Sequence, residues 1–147
     1  MNMLGEIRVK IDSLYDNVYS DWKEILGLEM HELFFLSACI GYIKRDKLPI
    51  KKVKDKFWSR TFTPKEWACF YSMLLKENSM ETSIIKDDNL VISTIELYAN
   101  SGIKDLLNNV LEEYVIKGKE LRLDNKVKYQ IIERILTYIY EQKNIAG

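Results

Sequence analysis

The run LFFLSACIGYI, from Leu33 to Ile43, constrains the fold of this 147-residue chain more than any other stretch. Read as a helix it leaves almost no polar face, and a helix that is apolar on nearly all sides has to be surrounded by other elements. It is far shorter than the ~20 apolar residues a membrane span needs. The expectation is therefore a central helix inside a bundle. Gly41, inside the run, either lets a neighbouring helix approach closely or begins the helix end.

The flanking segments read as helices that could cover it. Ile7, Ile11, Leu14, Tyr15, Val18, Trp22, Ile25 and Leu26 recur at helical spacing and predict one amphipathic helix, ended by Gly27 in a left-handed cap. Thr63-Pro64-Lys65-Glu66 is a capping box with proline at the first helical position. It predicts a helix bearing Trp67, Phe70, Tyr71, Leu74 and Leu75 on one face. Residues 84–100 and 103–115 read as two helices separated at Ser101-Gly102. Gly118 ends the second, Leu121-Arg122-Leu123 is a short linker, and Asp124 or Asn125 caps a last helix with Val127, Ile131, Ile135, Leu136 and Ile139 inward. Two prolines and six glycines give little punctuation for strands and hairpins. The predicted fold is all-α: a single domain, residues 1–147, of six or seven helices around residues 33–43.

No catalytic constellation emerges. The one histidine, His31, lies near a helix start beside Glu29 and Glu32, and adjacent helical residues do not face each other. Cys39 and Cys69 sit in apolar runs and read as small core hydrophobes. Their usage and the absence of a secretory leader suggest a reducing, cytoplasmic setting. One histidine and two separated cysteines supply no metal motif. Paired acids such as Glu112-Glu113 and Asp87-Asp88 read as solvated faces, and every glycine is solitary, so no phosphate loop is present. The expectation is a chain without enzymatic activity, cofactor or metal.

Charge is balanced overall, at 22 basic and 22 acidic residues, but it is sorted along the chain. Residues 44–60 carry Lys44, Arg45, Lys47, Lys51, Lys52, Lys54, Lys56 and Arg60 against Asp46 and Asp55, a net +6. The remainder is correspondingly acidic. Pro49 imposes an extended entry and could open a short helix carrying Val53 and Trp58. Three readings stand for this segment: a solvated face anchored by Val53, Phe57 and Trp58; a site for an acidic protein; or a contact with nucleic acid. Lysine outnumbers arginine there, so a DNA contact would be of the backbone type and salt-sensitive.

Two blocks resemble a known family. ELFFLSACIGYIKRDKLPIKK is similar to the opening signature of the small Dnd (DNA phosphorothioation) system-associated accessory proteins, and IELYANSGIKDLLNNVL is similar to their second. Phe34, Phe35, Ala38, Gly41, Tyr42, Tyr98, Ala99, Asn100 and Gly102 carry the resemblance, which covers rather over half the chain. It implies a gene beside bacterial DNA-modification or antiphage operons and a small subunit working with a larger ATPase or nuclease. The expected function is a non-catalytic accessory subunit that acts by protein contact. Tyr15 and Trp22 in the first helix and Tyr138 in the last are the candidate docking residues. The alternatives are a nucleic-acid-binding protein or regulator using residues 44–60, and a phage-encoded inhibitor of a defence enzyme.

Overall fold

The computed structural model describes residues 6–146, with side chains described through residue 143. The chain is mostly helical but not all-α. In order it forms β1 (Arg8–Asp12), α1 (Asp16–Leu26), α2 (Met30–Ile43), β2 (Val53–Trp58), α3 (Pro64–Glu77), α4 (Asp88–Asp105), β3 (Val115–Lys117), β4 (Leu121–Leu123) and α5 (Lys128–Ala146). Five α-helices replace the six or seven expected, and two antiparallel two-stranded sheets, β1–β2 and β3–β4, were not foreseen. Short 3-10 turns join several elements, and a π-helical turn, Leu106–Val110, prolongs α4.

The expectation that α2 is enclosed on nearly all sides is met on one side only, since Phe35, Leu36, Cys39 and Tyr42 are half-buried. Leu33, Phe34, Ser37, Ala38, Ile40 and Gly41 are buried along it, while Ile43 at its end is exposed. Its main partner is α4, and the two approach through glycine on both sides. A Cβ on Gly41 would lie 2.0 Å from the Tyr98 carbonyl oxygen, and one on Gly102 would lie 1.7 Å from that of Ser37. Both distances are far inside van der Waals contact, so backbone packs directly on backbone. Gly102 is therefore not a break: α4 runs through Ser101-Gly102 unbroken. Phe34 meets Phe57, Phe62 and Phe70 at ring-centroid distances of 5.7, 5.5 and 6.3 Å, which links α2 to β2 and α3.

The expected first helix splits in two. Ile7, Val9 and Ile11 alternate with Arg8 and Lys10, a period-2 pattern of β-branched residues suited to a half-buried strand. Asp12 ends the strand: its carboxylate accepts the Leu14 N–H (3.1 Å) and the Lys51 N–H (3.0 Å), starting a turn and binding the approach to β2. Residues 46–50 carry no regular secondary structure, and β2 follows rather than the short helix expected after Pro49. Val53 is exposed rather than an anchor, whereas Phe57 is buried. The strands pair Arg8 with Trp58, Val9 with Phe57, Lys10 with Asp55 and Asp12 with Val53, with a bulge that leaves Lys56 unmatched.

Other boundaries follow local chemistry. Gly27 caps α1 at φ 70°, as its spacing predicts. Thr63 Oγ1 accepts the Glu66 N–H (3.1 Å) and Glu66 Oε1 accepts the Thr63 N–H (2.9 Å), completing the capping box of α3. Residues 82–86 form a 3-10 turn, and Asp87 caps α4 by accepting the Leu90 N–H. The expected helix over 103–115 is the end of α4, the π turn and the start of β3. Leu121-Arg122-Leu123 is β4 rather than a linker, and Gly118 lies in the hairpin turn. Buried Asp21 of α1 holds this hairpin, accepting from Arg122 Nη2 (2.6 Å), Arg122 Nε (3.1 Å) and the Leu123 N–H (3.1 Å).

Alanine at position 102 separates helix propensity from packing. Propensity alone favours Gly102→Ala by roughly 1 kcal/mol. The clash with the Ser37 carbonyl should outweigh that and destabilise the chain by about 2 kcal/mol or more, as overpacked sites do. Urea unfolding of the two proteins decides between them, and a stabilised variant would refute the close approach.

Candidate binding surfaces

The eight basic residues of 44–60 do not form one patch. Three are neutralised by carboxylates of other elements. Lys44 pairs with Asp105 at the end of α4, Lys47 Nζ lies 2.5 Å from Glu77 Oε1 of α3, and Lys56 Nζ lies 2.7 Å from Asp16 Oδ1 of α1. Two are stacked on aromatic rings: Arg45 over Tyr42 at 4.2 Å and Arg60 over Trp58 at 5.0 Å. Lys51, Lys52 and Lys54 are exposed. Among the described residues their ammonium groups have no carboxylate partner.

Arg45 and Lys47 sit at a corner where α2 and α3 end beside α4. A cleft of about 490 Å³ there is lined by Tyr42, Arg45, Lys47, Lys76, Glu77 and Tyr98. Tyr98 donates to Glu77 Oε1 (2.5 Å), which also receives Lys47. Burial opposes the charge on Glu77. The bonds from Lys47 and Tyr98 and the charges of Lys47 and Arg45 outweigh that and hold its carboxyl below the usual range. Arg45 adopts φ 54°, the left-handed residue that closes α2: its N–H reaches the Tyr42 carbonyl and the Asp46 N–H reaches that of Gly41. A cation at this position complements the negative end of the helix dipole. These cations serve two helix C-termini, which is a structural account of the corner.

Arg60 and the exposed lysines lie on and beside the β1–β2 ribbon, and there the fold adds residues that sequence reading left out. Arg8 of β1, opposite Trp58, places its guanidinium 4.7 Å from the same indole that Arg60 covers. Lys10 follows on the same side of the strand, its Nζ on the Arg8 carbonyl (3.3 Å). The only earlier signal was the alternation of Arg8 and Lys10 with Val9 and Ile11.

Beneath the ribbon lies a carboxylate that titrates near neutrality. Glu96 of α4 is 8% exposed and accepts the Lys10 backbone N–H at 2.7 Å. Burial raises its carboxyl to about 7, with a smaller rise from Asp55, against the lowering effect of the Lys10 bond and charge. It fastens the strand beside the bulge rather than facing a cleft open to substrate.

The docking residues read from sequence are mostly enclosed. Tyr15 is 5% and Trp22 3% exposed, both inside the chain's own core, so they are not offered to a partner. Tyr138 is half-buried against the core. The outward side of α5 was not foreseen: Tyr129, Leu136, Ile139 and Tyr140 are 78%, 62%, 43% and 65% exposed. Of the five apolar residues expected inward, only Ile131 and Ile135 are buried; Val127 is half-buried, and Leu136 and Ile139 face out.

The residues considered for chemistry take structural places. His31 Nδ1 lies 2.9 Å from Glu66 Oε1, joining the start of α2 to the cap of α3, not to Glu29 or Glu32. Cys39 is half-buried, and burial pushes its thiol up to about 12. Cys69 is exposed, contrary to its apolar surroundings in sequence. Among the described residues no group of three or more His, Cys, Asp or Glu side chains could hold a metal ion, and no helix is long and apolar enough to cross a membrane. Comparison with known proteins finds no matching family model, no matching curated protein and no matching solved structure.

Glu96 yields a pH prediction. Its folded value lies above the ordinary carboxyl value of 4.5, so the folded chain holds the proton more tightly than the unfolded one. The stabilisation from this group is complete below about 4.5 and is lost as pH rises through about 7. Glu96→Gln keeps an acceptor for the Lys10 N–H without the charge. Relative to the wild type it should gain stability from pH 5 to pH 8 by up to ~3 kcal/mol. Thermal and urea unfolding across this range test it, and parallel pH profiles would refute the assignment.

Proposed function

We propose that this chain is a non-catalytic accessory subunit of a bacterial DNA-modification or antiphage system. It works by docking on a larger ATPase or nuclease, in which the chemistry resides. The observation that carries the docking is the outward row of α5. Tyr129, Leu136, Ile139 and Tyr140 fall on one side of the helix at i, i+7, i+10 and i+11, the face a helix presents to another helix, while Ile132 at its edge is half-buried against the core. The inward row, Ile131 and Ile135, already packs on the core, so α5 carries two apolar stripes where a monomer needs one.

The occupant that suits this row is a protein. Its margins carry both signs, with Lys128 and Lys143 against Glu133 and Glu141, and Arg134 is held by Glu141 at 3.3 Å. A helix selected for an anionic bilayer instead carries an excess of Lys and Arg on its polar face. Exposed tyrosines beside aliphatic residues are the composition of a binding hot spot. The two blocks containing Gly41-Tyr42 and Tyr98-Ala99-Asn100-Gly102 support the genomic setting through their resemblance to the Dnd-associated accessory proteins. They lie in the α2–α4 packing, so they bear on the fold and leave the partner to α5.

The test is co-expression with the larger ATPase or nuclease encoded in the same operon. The wild-type chain should co-elute with it. Leu136→Glu should weaken binding by at least tenfold, because it places a charge in the middle of a desolvated stripe. Its melting temperature should match the wild type, because Leu136 lies outside the core. Elution of the wild-type chain alone or as a self-dimer would overturn the reading, as would full binding by the variant.

A further inference from the structure

We infer that the β1–β2 ribbon is a nucleic-acid backbone-binding surface, formed by Arg8 and Lys10 of one strand together with Lys51, Lys52, Lys54 and Arg60 from in and around the other. The reading rests on the ribbon alone and is independent of the docking row on α5.

Three observations carry it. The first is uncompensated charge. Among the described residues none of these six side chains is ion-paired, whereas Lys44, Lys47 and Lys56 of the same basic segment all are. The carboxylates nearby are mostly engaged: Asp12 accepts two backbone N–H groups, Asp16 holds Lys56 and Glu96 is buried on the Lys10 N–H. Asp55 in β2 and Glu6 just before β1 remain as exposed acids. The fold has thus separated the paired lysines from the free ones and set Arg8 and Lys10 on the adjacent strand, with Asp55 opposite Lys10 and Lys54 opposite Ile11, on the other face of the ribbon.

The second is preorganisation. Arg8 and Arg60 both stack on the Trp58 indole, which holds two planar guanidiniums near each other with their N–H groups unused by any carboxylate. An arginine fixed in this way loses less freedom when its fork meets a phosphate. The same stacking covers Trp58, so the indole is not free to serve as a platform for bases. Binding through the phosphates, without sequence readout, is what remains.

The third is shape and composition. A five-residue strand spans roughly 16 Å, and a two-stranded ribbon is a form that the major groove admits. Arg8 and Arg60 lie at one end of it, and Lys51, Lys52 and Lys54 at the other. An acidic protein would need an apolar anchor at the centre of the contact. The ribbon has only Val53 exposed and its tryptophan covered by its own arginines. A phosphate backbone needs only charge at intervals.

Fluorescence anisotropy with a labelled mixed-sequence duplex of about 30 base pairs tests this, at ~50 and ~200 mM salt. With about five phosphates engaged, the slope of log K against log salt should be about −4 to −5, a loss of a few hundredfold between the two conditions. Replacing Lys51, Lys52 and Lys54 together by alanine should weaken binding at least tenfold, and Arg8→Ala severalfold. Lys44→Ala and Lys47→Ala should leave it unchanged. Asp55→Lys should tighten it severalfold, a gain that no misfolded variant produces. Melting curves accompany every variant.

No binding at the lower salt would overturn the proposal. So would an Asp55→Lys chain that binds no more tightly than the wild type, or an equal loss from the Lys44 and Lys47 variants. A labelled polyglutamate that binds as tightly as the duplex would transfer the surface to an acidic protein instead.

Discussion

The rest of the structure depends on the approach of α2 to α4 through Gly41 and Gly102. Each glycine admits the backbone carbonyl of the opposite helix, Tyr98 or Ser37, at a distance where no side chain fits. Two helices this close act as one rigid slab, because their spacing is set by backbone atoms, which cannot change rotamer. The slab fixes the places of everything around it. Phe34 reaches β2 and α3 from one helix, Glu96 fastens β1 from the other, and Asn100 binds the carbonyls of Leu48 and Pro49 on the way to β2.

What was legible in the sequence follows from the range of the interaction concerned. The helix at α2, the left-handed cap at Gly27 and the capping box at Thr63 depend on residues within a few positions of one another, and all stand in the structure. The β1–β2 ribbon depends on partners over forty residues apart. Ile7 and Ile11 fit a period of four as well as a period of two, and only Val9 between them distinguishes strand from helix. Gly102 was ambiguous for a related reason: beside Ser101 it has the local look of a break, and its actual role depends on Ser37 in a different helix. Cys69 and Leu136 show the same limit for burial, since an apolar neighbourhood in sequence does not say which side of a helix is covered.

The basic segment shows how a fold edits a charge pattern. In sequence it is a block of net +6, but carboxylates from α1, α3 and α4 reach Lys56, Lys47 and Lys44 and remove them from play. Partly exposed surface pairs contribute little stability, about 0–1 kcal/mol each. Their larger effect is on the surface field: they localise what remains on the ribbon. The bulge at Lys56 contributes to this sorting, since the unmatched residue turns toward Asp16 and Ser20 of α1 rather than joining the exposed lysines.

The two proposed surfaces are held by different stretches of one helix. β1 is fastened to α4 at Glu96, and α5 packs against α1 and the π turn at residues 106–110. At 1.5 Å per residue these points lie some 15–20 Å apart along the helix axis. A partner seated on α5 therefore need not cover the ribbon. If both surfaces act, the partner sets where the chain sits and the ribbon adds a salt-sensitive grip on the nucleic acid that the partner acts upon. That arrangement needs no catalytic group in this chain, because its contribution is the geometry between two contacts, and the glycine-packed α2–α4 slab is stiff enough to maintain it.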